Sequence, residues 1–153
     1  MAPAAAGDAA IYCDAVWKLF GPDPEAYLAA LDGAVPDAET LRRDGYVSAV
    51  RNVTLAIPRG EMLVVMGLSG SGKSTLLRCM ARLVEVSAGA VLIEGSPIGA
   101  LDETALIDLR RRKMGMVFQN FALLPHRTVL ENVAFPLEMR GQDRATRAGA
   151  AGG

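Results

Sequence analysis

The amino-acid sequence predicts an α/β fold in which helices accompany a mixed β-sheet, with a helical insertion after the first strand. Three observations predict this class. Apolar runs typical of strands alternate along the chain with segments of helical periodicity. A glycine-rich loop joins one continuous apolar run, Glu61–Met66, to an amphipathic segment that begins at Ser74. Two short helical patterns, in residues 22–45, separate the first two strand patterns.

The composition is typical of one globular domain. The chain has 153 residues, of which 51% are hydrophobic and 22% are charged, enough for a modest core. Its net charge of −1 provides no basic field for nucleic acid, so no nucleic-acid partner is expected. Cys13 and Cys79 lack metal-ligand spacing and are predicted to be buried or half-buried thiols in a reducing compartment. No signal peptide and no apolar run of about 20 residues occurs, which predicts a soluble, cytoplasmic chain.

The first elements are defined by turn and capping residues. Residues 1–9 are rich in alanine and are expected to be a flexible N-terminus. Ile11–Phe20 is predicted to be a strand that is closed by Gly21-Pro22. Within the insertion at 22–45, two aspartate–proline pairs open short helices, one from Asp23-Pro24 through Leu31 and one from Pro36-Asp37 through Arg43.

The next elements surround the glycine-rich loop. Tyr46–Ile57 alternates as a strand does and ends at a Pro-Arg-Gly turn. Glu61–Met66 is apolar without interruption from Met62 onward, as expected of a strand that is buried on both faces. From Ser74 the period becomes helical, and one face carries the apolar residues Leu76, Leu77, Met80, Leu83 and Val84.

The remaining elements are a strand at Ala90–Glu94, a helix at Asp102–Arg112 that Asp102 caps, and a further buried strand at Met114–Phe118. Val129–Met139 is predicted to be helical until Pro136 interrupts it, because proline lacks the N–H that a helix needs. Residues 142–153 become rich in Ala, Gly and Arg without a pattern and are expected to be a disordered tail.

The loop between strand and helix has the spacing of a phosphate-binding loop. Glycines allow backbone amides to approach phosphate oxygens, and the following helix directs its N-terminal dipole at the same anion. Lys73 adds a positive charge for the β- and γ-phosphates, and the Ser74 hydroxyl is placed to bind Mg²⁺. We therefore expect ATP with Mg²⁺ to bind at Gly67, Ser69, Gly70, Ser71, Gly72, Lys73, Ser74 and Thr75.

Two segments resemble a known family. Residues 66–78 resemble the Walker A region of ABC transporter ATPase subunits, and Met114–His126 resembles their Q-loop region. The helical insertion, with Phe-Ala-Leu-Leu-Pro-His, is most similar to importers of glycine betaine, proline betaine or choline. The resemblance implies an incomplete ABC-type ATP-binding domain over residues 10–141, the N-terminal half of the cassette.

The resemblance also implies roles for single residues. Gln119 would approach Mg²⁺ and the attacking water, and it is the predicted catalytic residue. In this family an aromatic residue near the end of the first strand stacks on adenine; Phe20 matches that place, Tyr46 is the alternative, and either could be a core aromatic instead. His126 is interpreted as part of the surface that faces a transmembrane partner or as an ordinary surface histidine.

The second half of the family's motifs does not occur in the 153 residues: neither the Leu-Ser-Gly-Gly-Gln signature nor an Asp-Glu pair that ends a strand. Glu94 and Asp108 follow apolar residues, but they are interpreted as a turn residue and as one on the polar side of a helix. Because phosphoryl transfer needs a positioned water and neutralised charge, the chain is expected to bind ATP but hydrolyse it poorly. The patternless tail suggests a truncated or frame-shifted product, with sheet edges left unpaired.

The leading interpretation is thus the ATP-binding component of an ABC importer for a quaternary-amine osmolyte. A nucleotide-binding fragment without turnover, an importer ATPase for another small solute, and an unrelated phosphate-loop NTPase or kinase are the alternatives. The resemblance implies a permease that contacts residues 119–140, a second ATPase subunit and, indirectly, a periplasmic or lipid-anchored solute-binding protein. It places the chain at the cytoplasmic face of the membrane.

Overall fold

The computed structural model describes residues 9–118 and 123–151, and it divides into two compact units, Met1–Leu101 and Asp102–Gly153. The expected flexible N-terminus, residues 1–9, lies almost wholly outside the described residues. Within them, no helix is both long and apolar enough to cross a lipid bilayer.

The first unit is built on an antiparallel sheet with the strand order β2-β1-β3-β4. Its strands are β1 (Ala9–Phe20), β2 (Val47–Pro58), β3 (Ala88–Ile93) and β4 (Ser96–Pro97). The central strand β1 pairs with β2 along its whole length, from Ala9 opposite Pro58 to Phe20 opposite Val47. Its residues Cys13 and Val16 are fully buried. The strands predicted at Ile11–Phe20, Tyr46–Ile57 and Ala90–Glu94 are therefore confirmed, as β1, β2 and β3.

The predicted helical insertion is also confirmed, as α1 (Pro24–Ala30) and α2 (Ala38–Arg43). Each helix begins at an aspartate whose side chain accepts a backbone N–H: Asp23 from Ala26 and Asp37 from Thr40. The insertion packs on one face of the sheet end through an apolar cluster, which consists of Trp17, Leu19, Leu41 and Tyr46 with Tyr27, Leu28 and Ala88 at its margin.

Helix α3 (Lys73–Met80) follows the glycine-rich loop and contacts β1 and β2. Leu76, Cys79 and Met80 are its buried residues, whereas Leu77 on the predicted apolar face is half exposed. The guanidinium of Arg82, just after the helix, donates to the carbonyls of Ile98 and Leu101 at 2.9 and 2.6 Å. These hydrogen bonds attach the end of α3 to the short 3₁₀ turn Ile98–Ala100.

Two predicted strands are wrong. Glu61–Met66 and Met114–Phe118 form no strand, and several of their side chains are widely exposed: Met62 by 90%, Met66 by 85% and Val117 by 99%. A strand that is buried on both faces needs a neighbour at its edge and cover above and below, and among the described residues neither run has a paired neighbour. The described sheet is for this reason antiparallel rather than mixed.

The second unit contains α4 (Glu103–Lys113), α5 (Val129–Met139) and α6 (Arg144–Ala151). Asp102 caps α4 as predicted, since its carboxylate accepts the N–H of Ala105 at 2.8 Å. The predicted interruption at Pro136 is wrong: α5 continues through it, because proline removes one hydrogen bond but its carbonyl still accepts the N–H of Arg140 at 3.2 Å.

The expectation of a disordered tail at 142–153 is also wrong for α6. Asp143 caps this helix, accepting the N–H groups of Ala145 and Thr146 at 2.9 and 3.0 Å. The alanines that follow are strong helix formers. The Asp143 cap and the helix propensity of these alanines are therefore enough to form α6, although the segment has no apolar periodicity.

Candidate functional site

The glycine-rich loop delivers the N-terminus of α3 without a side-chain cap. Gly72 is the N-cap residue with φ +88°, and no side chain of its own satisfies the first turn. The first N–H to bond within the helix is that of Leu76, to the Gly72 carbonyl at 2.9 Å. The preceding N–H groups, from Lys73 to Thr75, have no acceptor in an α-helix. This arrangement is the one with which proteins bind anions at a helix start.

Two glycines of the loop are required for different reasons. Gly72 passes so close to β2 that a Cβ there would overlap the carbonyl of Ala49, and its positive φ also disfavours any side chain. Gly70 has φ +78° but open space around it, so only its backbone conformation favours glycine. The loop thus lies against the start of β2, and the glycine of the motif at position 72 is what allows this close contact.

Lys73 contacts its own loop. Its Nζ donates to the carbonyls of Gly67 and Leu68 at 2.9 and 2.6 Å and to Ser71 Oγ at 3.3 Å. The Ser71 N–H donates to the Leu68 carbonyl at 3.2 Å, which closes a turn at the tip of the loop. The ammonium group therefore lies over the loop, where it can exchange these acceptors for the oxygens of a bound anion.

A cavity of about 230 Å³ joins the loop to the ends of two strands. Six of the predicted binding residues border it along 70–75, and Ser74, at the exposed start of α3, is one of them. The remaining wall consists of Phe20, Val47, Ser48 and Ala49. Gly67 and Ser69 do not line the cavity, although Gly67 contacts the Lys73 ammonium. Residues 47–49 were not predicted to belong to the site. The signal that could have identified them is the pairing of the end of β1 with the start of β2.

Phe20 and Tyr46, the two candidate adenine-stacking residues, lie in different environments. Phe20 is 49% exposed and borders the cavity. Tyr46 is only 9% exposed, its ring lies 4.2 Å from that of Tyr27, and its hydroxyl donates to the Pro22 carbonyl at 2.6 Å. Tyr46 is thus a core aromatic residue, and Phe20 is the one that a base in the cavity could contact.

The other acidic candidates have structural partners. Glu94 forms an ion pair with Arg59 at 2.8 Å in the turn after β3, and Asp108 pairs with Arg112 at 2.8 Å along the exposed side of α4. In the described part of the chain, no group of three or more His, Cys, Asp or Glu side chains could hold a metal ion. Gln119 lies outside the described residues, and His126 is exposed in the second unit.

The two cysteines are free and buried, as predicted. Burial raises the pKa of the Cys13 thiol to about 11, and burial also raises the pKa of Cys79, although the Lys18 ammonium opposes that rise. Both thiols therefore stay protonated near neutral pH, and neither has the low pKa of a nucleophilic cysteine.

Comparison with known proteins places this site in a family. The ABC transporter family matches residues 50–151, which include the loop and α3. The chain is 62% identical, over 86% of its own length, to the trimethylamine N-oxide transport system ATP-binding protein TmoW of Ruegeria pomeroyi, of which it covers 38%. It is 42% identical to the glycine betaine/proline betaine transport system ATP-binding protein ProV of Salmonella typhimurium, covering 87% of this chain and 34% of that protein.

A solved structure has the same fold. It is a dimeric ATP-binding cassette in a post-hydrolysis state bound to ADP and Pi, 31% identical to this chain, with a TM-score of 0.72. The match covers 92% of this chain and 53% of that one, so the chain spans about half of a solved cassette and well under half of its curated relatives. Because the family match includes the loop, the helix that follows it and most of β2, the chain belongs to the ABC transporter family.

Proposed function

We propose that the chain is the ATP-binding portion of an ABC importer and that it binds Mg²⁺-ATP in the cavity between the glycine-rich loop and Phe20. One observation carries this proposal: an uncapped helix N-terminus, a lysine ammonium and a half-exposed aromatic ring border the same cavity. The first two suit a polyphosphate, and the third suits a planar base.

Each group has a distinct role in this proposal. The N–H groups at the start of α3 and the Lys73 ammonium bind phosphate oxygens, and the Phe20 ring contacts adenine. The exposed Ser74 hydroxyl is a hard oxygen ligand beside the phosphate position, so it fits Mg²⁺, with Gln119 as a second ligand by family resemblance. When bound, the cation would neutralise phosphate charge. Gln119 is a neutral amide and can orient water but cannot remove its proton.

The relatives support a small methylated amine as the transported solute. TmoW is named for trimethylamine N-oxide and ProV for glycine betaine and proline betaine. We therefore propose that the importer carries an osmolyte of this chemical class, and the 62% identity to TmoW favours trimethylamine N-oxide. Choline, which the sequence analysis included, has no support from these two names.

The proposed assembly follows the family. A permease would contact the chain around residues 119–140 and hold it at the cytoplasmic face of the membrane, and a second ATPase subunit would complete the hydrolytic site. A solute-binding protein would act through the permease. Since the 153 residues contain neither the signature motif nor an Asp-Glu pair that ends a strand, we propose that this polypeptide by itself binds ATP with little turnover.

Isothermal titration of the 153-residue protein with Mg²⁺-ATP tests the proposal. Lys73→Ala removes charged hydrogen bonds worth about 1.5–3 kcal/mol, so the Kd should rise roughly 10- to 150-fold. Arg78→Ala, on the exposed side of the same helix, is the matched control and should leave the Kd unchanged. Circular dichroism should show that both variants are folded. No ATP affinity in the unaltered protein, or equal affinity after Lys73→Ala, would refute the proposed site.

A further inference from the structure

The side chain of Lys18 lies over the ring of Phe20. The two residues are two positions apart near the end of β1. Lys18 Nζ is 5.2 Å from the ring centroid, within the range of a cation–π contact. Phe20 borders the cavity and Lys18 does not, so the ammonium contacts the ring from outside the cavity.

The charge of Lys18 is available for this contact. Among the described residues no carboxylate forms an ion pair with it, in contrast to Arg59, Arg82 and Arg112. Cys79 is near enough for Lys18 to affect its pKa, but its buried thiol stays protonated. The ring of Phe20 is thus the contact that the structure gives to this ammonium group.

The backbone below the ring is already fixed. Phe20 pairs with Val47 across the strands, and the Tyr46 ring packs so closely on Gly21 that a Cβ there would lie 2.5 Å from it. The Tyr46 hydroxyl also holds the Pro22 carbonyl. Only the side-chain torsions of Phe20 remain to be restricted, and a half-exposed phenylalanine gains little restriction from core packing.

On the basis of the proposed nucleotide site, we propose that Lys18 is a positioning residue for the base. Its ammonium holds the Phe20 ring in one orientation and leaves the cavity face of the ring for a purine. Lys18 contributes to affinity by reducing the side-chain freedom that binding would otherwise remove. Its contribution depends on the base and not on the phosphates.

The test compares ATP with inorganic triphosphate, which has the phosphates but no base. Lys18→Met should weaken Mg²⁺-ATP binding about two- to fivefold and leave the Kd for Mg²⁺-triphosphate unchanged. Lys18→Arg keeps a cation over the ring and should restore the ATP affinity. In a Phe20→Leu background, Lys18→Met should have no further effect on ATP binding, because no ring remains to be positioned.

The outcomes separate this inference from the proposed function. If the unaltered protein binds ATP and Lys18→Met does not change the Kd, the role of Lys18 is refuted while the site stands. Equal weakening for ATP and triphosphate would mean that Lys18 acts on the phosphates, which also contradicts the inference. If circular dichroism shows a folding defect in Lys18→Met, Lys18→Gln, which also lacks the charge, replaces it, and the comparison of ATP with triphosphate then decides.

Discussion

Gly72→Ala is the substitution for which the structure predicts the largest effect at a single loop position. The residue has φ +88°, and a left-handed conformation costs an alanine about 1–2 kcal/mol. Its Cβ would also overlap the carbonyl of Ala49, a backbone group that no rotamer change can move aside. Overpacking of this kind costs a further 1–3 kcal/mol or so, which brings the expected loss of unfolding free energy to about 2–5 kcal/mol.

Gly60→Ala is the matched control, because Gly60 has φ +74° with nothing within 4 Å of the added Cβ. It should lose only the conformational part, about 1–2 kcal/mol. Urea unfolding followed by circular dichroism measures both losses without nucleotide. Gly72→Ala should also weaken ATP binding, since relief of the overlap moves the N-terminus of α3 away from β2. Equal destabilisation by the two substitutions would refute the argument that the loop is held against Ala49.

Three further predictions concern stability and solubility. Burial raises the pKa of the Cys13 thiol from 9.0 to about 11, so the unfolded chain loses this proton at a lower pH than the folded protein does. The free energy of unfolding should therefore fall as the pH rises from about 9 to 11. Urea midpoints measured across this pH range should fall less in Cys13→Ala. Thr128→Ala removes the hydroxyl of the capping box at the start of α5 and should cost about 1 kcal/mol in thermal unfolding, whereas Thr128→Ser, which keeps the hydroxyl, should cost much less. Val64→Lys with Met66→Lys replaces side chains that are 64% and 85% exposed, so light scattering should show less aggregation with no lower melting temperature; lower stability instead would mean that the run is packed.

Local signals in the sequence predicted local structure correctly. Three aspartates cap the helices that they were predicted to open: Asp23, Asp37 and Asp102. Each carboxylate accepts a hydrogen bond from the backbone N–H three residues later, and this local bond does not depend on contacts with the rest of the chain. The loop could be predicted for the same reason, since its glycines and Lys73 act within one short segment. Asp143 carried the same signal, and the absence of apolar periodicity after it led to the wrong prediction for α6.

Long-range contacts could not be predicted in the same way. The apolar run Glu61–Met66 has the composition of a buried strand, but burial depends on neighbours that no local pattern reveals, and in this structure it is exposed. The choice between Phe20 and Tyr46 depended on packing as well. Tyr46 is buried because α1 and α2 bring Tyr27 and Leu41 to it, and its ring partner Tyr27 lies on a different helix, well before it in the sequence.

The hydrogen bonds of Lys73 bear on how the site would choose among anions. Its ammonium already has three oxygen acceptors within the loop, so an incoming anion gains only the difference between the new contacts and the old ones. A small ion such as sulfate or orthophosphate offers few contacts beyond those it displaces. A nucleoside triphosphate reaches further, along the helix start and towards Phe20, and can outweigh the exchange. The resting contacts of one lysine would in this way set a threshold that favours long polyanions over short ones.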